Sequence, residues 1–207
     1  MRTSARSALG TLRVALRTLA LATLVLGVGY TLVVTALAQV LAPARADGSL
    51  LERDGRVVGS ALLGQSFADS DGNALPGYFQ SRPSAAGEGY DAGASGGSNL
   101  GPENPELTAR ITERRVEIAA REGVAPSAVP ADAVTASGSG LDPDISPAYA
   151  ALQVDRVARE RGLAPETVRR LVAQHTDHPV LGPPGVQVLA LNLALDEARG
   201  AEGGAAR

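Results

Sequence analysis

Two glycine-serine stretches of this 207-residue chain echo each other, ASGGSNLGP from Ala94 and ASGSGLDP from Ala136, and each precedes a helix start, at Asn104 and at Ser146. Exposed backbone N–H groups in such a stretch could cradle an anion or a carbonyl-bearing partner. Runs of this kind also serve as tight connectors. Neither is a phosphate loop, because neither ends in the Gly-Lys-Ser/Thr that supplies the charge. Asp142 and Asp144 could bind a cation, but they lack the spacing and terminal Glu of a calcium loop, and helix-capping or turn roles fit them. His175 and His178 are the only histidines and flank Asp177. A base for a serine nucleophile would have to be one of them, yet no strand-to-helix nucleophile elbow is visible, which leaves packing or surface roles.

Composition narrows the chemistry further. Cysteine is absent, which excludes disulfides, thiolate nucleophiles and cysteine metal sites. Every one of the 19 basic side chains is arginine, so Schiff-base chemistry and the P-loop lysine are excluded too. Aromatic residues make up only 3 %, and from Asp47 onward 14 arginines face all 22 acids, a balance of about −8. Base stacking and phosphate neutralisation both lack their residues, so no nucleic acid is expected as a partner.

The element that places all of this is the uncharged run from Thr18 to Leu41, between Arg17 and Arg45. As a helix at about 1.5 Å per residue it is long enough for a hydrocarbon core of about 30 Å. A signal peptide is the rival, supported by Arg2, Arg6, Arg13 and Arg17 and by Ala44-Arg45-Ala46 as a cleavage site. Signal h-regions span about 7 to 15 residues, so the length points to a retained anchor. Four arginines precede the run against Arg45, Arg53 and Arg56 after it, a modest bias that puts the N-terminus in the cytoplasm and the bulk outside. All the acids lie from Asp47 on, although acids contribute little to topology. The expected organisation is a cytoplasmic tail over 1–17, a transmembrane helix over 18–41, one extracytoplasmic domain over 47–197 and a flexible tail over 198–207.

Within that domain Asp54-Gly55, between Leu50-Leu51 and Val57-Val58, signals a hairpin just outside the membrane, with a third short strand at Ala61 to Leu63. From Asp69 to Pro102 no period is sustained. Tyr78, Phe79 and Tyr90 favour an ordered irregular loop packed by its own side chains over a solvated linker. Asn104-Pro105-Glu106 opens a helix that Gly123 stops, Ser146-Pro147 opens a second that ends at Gly162, and Ala164-Pro165-Glu166 a third with Val168, Leu171, Val172 and His175 on one face. In Val186 to Asp196 the leucines alternate with smaller residues, a strand by period two, although Leu and Ala also allow its end to be helical. The predicted fold class is α+β: one N-terminal transmembrane helix followed by a single extracytoplasmic α+β domain.

The long glycine-containing blocks resemble a known family. Asp47-Gly48-Ser49-Leu50, Gly59-Ser60 with Leu63-Gly64-Gln65 and Phe67, Tyr78-Phe79 with Arg82-Pro83-Ser84-Ala85, and Ala94 through Leu100 look like the C subunit of Kdp-type potassium-transporting P-type ATPases. Val134 through Pro143, Ile145-Ser146-Pro147, Gln153-Val154 with Arg156-Val157-Ala158, and Leu191 through Asp196 agree, so the match covers Thr18 to Asp196 in the family's order. The sequence departs from the family pattern at Thr31 and Asp155, where proline is usual, and at Asp91, where asparagine is usual.

The resemblance implies a non-catalytic accessory subunit of an ATP-driven K⁺ uptake complex in the bacterial inner or plasma membrane, needed for assembly. Its implied partners are a channel-like K⁺-conducting subunit and a P-type ATPase subunit. No cofactor of its own is implied, ATP entering through the complex, whose ATPase subunit the family member is held to help bind ATP. For that role Ser95, Gly96, Gly97, Ser98, Asn99 and Gln153 have the shape of a nucleotide-contacting motif. An orientation that puts those residues outside conflicts with direct contact to cytoplasmic ATP. The alternatives are an external cap on the ion-entry face without ATP contact, and a membrane-anchored envelope hydrolase using His175.

Overall fold

The computed structural model describes the backbone of residues 5–205 and the side chains of 8–198; the outermost parts of the two expected tails, residues 1–4 and 206–207, lie outside the described residues. The chain divides into two units, Met1–Ser49 and Leu50–Arg207.

In the first unit α1 (Ala5–Ala22), a wider π-helical stretch at Thr23–Gly29 and α2 (Tyr30–Leu41) run on as one helix. The Tyr30 N–H reaches back five residues to the Val25 carbonyl, the bonding of a π turn. Among the described residues this is the one helix long and apolar enough to cross a membrane, from Ala8 to Leu41, and it is not buried. The run expected as an anchor lies inside it, and the helix continues back into the arginine-bearing flank. Ala42 leaves the helical region at φ −152°, and Pro43 opens the one-turn α3 (Pro43–Ala46).

The second unit begins with the expected hairpin, β1 (Leu50–Arg53) against β2 (Arg56–Ser60). Its turn puts Asp54 and Gly55 at φ 51° and 73°, the two positive angles that a type I′ turn requires. No third strand follows. Ser60 accepts the Leu63 N–H at its carbonyl and the Leu62 N–H at its hydroxyl, and this local bonding closes a turn where a strand was expected.

Three longer helices follow the cap chemistry of the sequence. α4 (Pro105–Glu122) opens on Asn104, whose side chain accepts the Glu106 N–H at 2.8 Å, and closes on left-handed Gly123. After the short α5 (Ala131–Val134), α6 (Pro147–Arg161) opens on Ser146, itself gripped by both oxygens of Asp132, and closes on left-handed Gly162. α7 (Pro165–Gln174) ends at His175. A small antiparallel sheet carries β5 (Gly185–Gln187) between β3 (Asp144–Ile145) and β4 (Thr176–Asp177).

The strand expected over Val186 to Asp196 lasts only through Gln187, and Val188–Ala205 forms helix α8. The Gln187 side chain accepts the Ala190 N–H at 2.8 Å and so supplies a helix start that no Ser, Thr, Asp or Asn announces. Val188, Leu191, Asn192 and Leu195 are all buried, the i, i+3, i+4, i+7 stripe of a core helix, and Leu and Ala are strong helix formers. That helix carries the chain past Ala198 to Ala205, through most of the segment expected as a tail.

The core gathers Ile118 of α4, Tyr149, Val154 and Val157 of α6, Val168 of α7, Val186 of β5, and Leu191 and Leu195 of α8. Phe79 joins it from the irregular segment with no exposed surface, and Phe67 stacks on Tyr78 with centroids 5.6 Å apart. The fold is α+β, and the aperiodic stretch is an ordered part of it.

Two glycines with the same backbone angle separate strain from space. Gly123 and Gly140 have φ of 70° and 68°, but a Cβ on Gly123 meets nothing within 4 Å, whereas one on Gly140 falls 2.6 Å from the Ala86 nitrogen and 2.7 Å from the Gly96 carbonyl oxygen. Gly123→Ala is expected to cost about 1 kcal/mol and Gly140→Ala about 3 kcal/mol or more, read from urea unfolding of the detergent-solubilised chain.

Candidate functional site

Side chains from α6 and α8 hold the irregular segment Pro76–Gln80 much as a protein holds a ligand. Asn192 of α8 accepts the Phe79 N–H at 2.9 Å and donates to the Phe79 carbonyl at 3.0 Å. Gln153 of α6 does the same for the next residue, accepting the Gln80 N–H at 2.7 Å and donating to the Gln80 carbonyl at 3.1 Å. Arg156 donates to the carbonyls of Pro76 and Tyr78, to the Gln153 amide oxygen at 2.8 Å, and to the fully buried carboxylate of Glu122. Arg161 donates to the Gly77 carbonyl and to Asp196 at 2.8 Å, and its guanidinium lies 4.4 Å over the Tyr78 ring. Arg53 of the hairpin binds the second oxygen of Asp196. Burial alone pushes the Asp196 carboxyl up, but the hydrogen bonds and charges of Arg161 and Arg53 outweigh it and hold the group below the ordinary 3.8.

The two glycine-serine stretches lie against each other. The Gly96 N–H and the Ser95 hydroxyl both donate to the Ser139 carbonyl, at 2.8 and 3.0 Å. A Cβ on Gly97 would come within 3.2 Å of the Gly138 carbonyl oxygen, so the backbones approach closely because neither carries bulk there. Ser84 buttresses the junction, donating to the Gly140 carbonyl at 2.7 Å while its hydroxyl accepts the Tyr90 N–H. On the other flank the Gly64 N–H donates to the Leu141 carbonyl at 2.8 Å. Beside Gly97 and Ser98 opens a cavity of about 400 Å³ that Glu88, Arg110 and Arg114 also line. Ser98 is exposed there, and its neighbour Asn99 is exposed outside the lining at φ 52°.

Comparison with known proteins fixes what kind of chain carries this arrangement. The family model for KdpC, the c chain of K⁺-transporting ATPases, matches residues 12–197. The chain belongs to the KdpC family. It is 58 % identical over 189 residues to the potassium-transporting ATPase KdpC subunit of Gemmatimonas aurantiaca, covering 89 % of this chain and 92 % of that one. The subunit of the same name from Polaromonas naphthalenivorans is 56 % identical, over 84 % of this chain and 88 % of its own length. That of Beijerinckia indica is 50 % identical, over 89 % and 92 %. The chain is thus a subunit of a K⁺-transporting ATPase, with the catalytic machinery of transport carried elsewhere in such complexes.

Of the residues singled out in the KdpC chain, Ser95–Asn99 sit together at the paired junction, whereas Gln153 is fully buried with its amide turned to Gln80 and Arg156. Asp142 pairs with Arg82 at 2.7 Å and accepts the Asp144 N–H. Burial together with the charges of Asp142 and Asp177 pushes the Asp144 carboxyl up. His175 caps α7 with Nδ1 2.8 Å from the Leu171 carbonyl oxygen, a packing place rather than that of a base poised on a hydroxyl. Asn192, Arg156, Arg161 and Asp196 are the residues that sequence reasoning did not assign. The signal present in the sequence is a polar residue inside an apolar run, Gln153 in AALQV and Asn192 in LALNLAL.

Removing either clamp leaves one buried N–H and one buried C=O without partners, at about 1–3 kcal/mol each. Asn192→Leu and Gln153→Leu are therefore each expected to lower stability by about 3 kcal/mol in urea unfolding, with the segment 76–80 becoming protease-sensitive before α6. The Asp196 carboxyl, lower in the folded than in the unfolded chain, stabilises at neutral pH and loses that contribution as pH falls through its depressed folded value. The urea midpoint should drop between about pH 5 and about pH 3, and less steeply in Asp196→Asn.

Proposed function

We propose that the chain is the anchored accessory subunit of an ATP-driven K⁺ uptake complex, with its N-terminus in the cytoplasm and its α+β domain on the ion-entry side of the membrane. The observation that carries the orientation is the arginine bias: Arg2, Arg6, Arg13 and Arg17 precede the apolar helix, against Arg45, Arg53 and Arg56 in the flank that follows it. The domain is needed for assembly of the complex and acts on the pump through the anchor and the assembled subunits. Its balance of about −8 enriches K⁺ near the entrance over the screening length of about 8 Å.

A domain on that side does not touch cytoplasmic ATP. The buried place of Gln153, with both ends of its amide engaged, supports this reading, since a nucleotide would have to break the clamp on Gln80 to reach it. A second reading keeps Ser95–Asn99 as a nucleotide contact. Its support is the cavity beside Gly97 and Ser98, where Arg110 and Arg114 supply positive charge. Arg110 is already paired with Glu106 at 2.5 Å, which weakens that supply.

A protease-cleavable tag after Gly200 of the full-length chain, in intact spheroplasts carrying the assembled complex, tests the orientation. Cleavage without lysis is the expected result. Protection until the membrane is opened overturns the external placement and favours ATP contact at Ser95–Asn99, which Ser98→Trp should then weaken as a higher KM for ATP.

A further inference from the structure

The β4–β5 connection carries the most exposed large apolar side chains of the α+β domain: Val180 is 101 % exposed and Leu181 is 90 % exposed. Single exposed hydrophobes are ordinary, but two consecutive ones with no protein contact on a stiff loop are not. The loop is fixed at its ends by the pairs Thr176↔Val186 and Asp177↔Gly185, and within by Pro179, Pro183 and Pro184, with Gly182 taking the turn at φ 108°. The prolines restrict the backbone of the loop, so less of its freedom remains to be lost when a partner arrives.

At the base of the same loop Pro183, Pro184 and Gly185 line a recess of about 270 Å³ that also carries Asp132, Asp142 and Asp144. Arg82 is the one cation in its lining and is engaged by Asp142. Asp132 is spent on Ser146, whereas the Asp144 carboxylate accepts no hydrogen bond and forms no ion pair among the described residues. Exposed Asp177 adds negative charge near it; burial first, and then the charges of Asp142 and Asp177, push the Asp144 carboxyl up. Such a recess repels anionic lipid headgroups and attracts a cationic side chain.

We propose that the β4–β5 tip is a docking prong for another protein subunit of the complex, Val180 and Leu181 entering an apolar recess there while a Lys or Arg of that subunit sits against Asp144. The apolar tip supplies the contact area and the acidic recess fixes which surface it can meet. The proposal rests on the chain being a subunit of an assembled complex, and not on the side of the membrane that the domain occupies.

The chain has no cysteine, so Val180→Cys places a single thiol at the tip. Its maleimide labelling rate is compared in three preparations: the full-length chain in detergent, the same chain alone in liposomes containing anionic lipid, and the assembled complex. The rate is expected to fall at least about tenfold in the complex alone, and Asp144→Asn in the Val180→Cys background is expected to restore at least about threefold of it. Equal rates in all three, or protection already in liposomes without partners, overturn the protein-docking assignment, the latter in favour of a lipid surface. Protection that Asp144→Asn and Asp144→Arg both leave unchanged overturns the basic occupant. Co-purification is scored in the same samples. A chain that co-purifies with an unprotected thiol refutes only the prong, while a chain that never co-purifies refutes the accessory-subunit reading itself.

Discussion

Two side-chain amides replace the strand neighbours that an extended segment would otherwise need. In an extended chain the N–H and C=O of one residue face one side and those of the next residue face the other, so Phe79 and Gln80 need partners on opposite sides. Asn192 supplies one pair of bonds from α8 and Gln153 the other from α6. With those four groups satisfied, Phe79 can be buried completely without orphaned backbone beneath it. Arg156 and Arg161 extend the grip to the carbonyls of Pro76, Gly77 and Tyr78, and their own charges are neutralised by Glu122 and Asp196. An aperiodic stretch thereby becomes as much a part of the core as the helices that hold it.

The same clamp ties together parts that are far apart in the chain. Asp196 is shared between Arg161 of α6 and Arg53 of the first hairpin, so hairpin, irregular segment and C-terminal helix meet at one carboxylate. Gly59 of β2 reinforces the junction, since a Cβ there would overlap Leu189 of α8 at 2.6 Å. Hairpin, α6 and α8 are thereby tied to one another by side-chain bonds. That suits a subunit of a K⁺-transporting ATPase whose proposed action passes through assembly and docking rather than through chemistry of its own.

What the sequence shows clearly is whatever is written locally. α4 and α6 begin and end where Asn104, Ser146, Gly123 and Gly162 announce, because cap and stop residues act within one turn. The hairpin turn at Asp54-Gly55 is legible for the same reason. α8 was not, since its leucines also satisfy a period of two and its start is supplied by the Gln187 side chain after a three-residue strand. The excess of aromatic residues marks the irregular segment as ordered, yet nothing local names Asn192 and Gln153 as its holders, 113 and 73 residues away. The two glycine-serine stretches stand out as similar to each other. That they stack backbone to backbone, through Gly96 and Ser139, is a property of the fold.

The central claim is that Phe79 and Gln80 belong to the cooperative core although they lie in no helix or sheet. Native-state hydrogen exchange of their amides in the full-length chain tests it most directly. If the side-chain clamps hold as described, both amides exchange only through global unfolding, with the same free energy and denaturant dependence as the amides of Val154 and Val157 in α6. Exchange at rates typical of a surface loop, while α6 stays protected, would contradict the account.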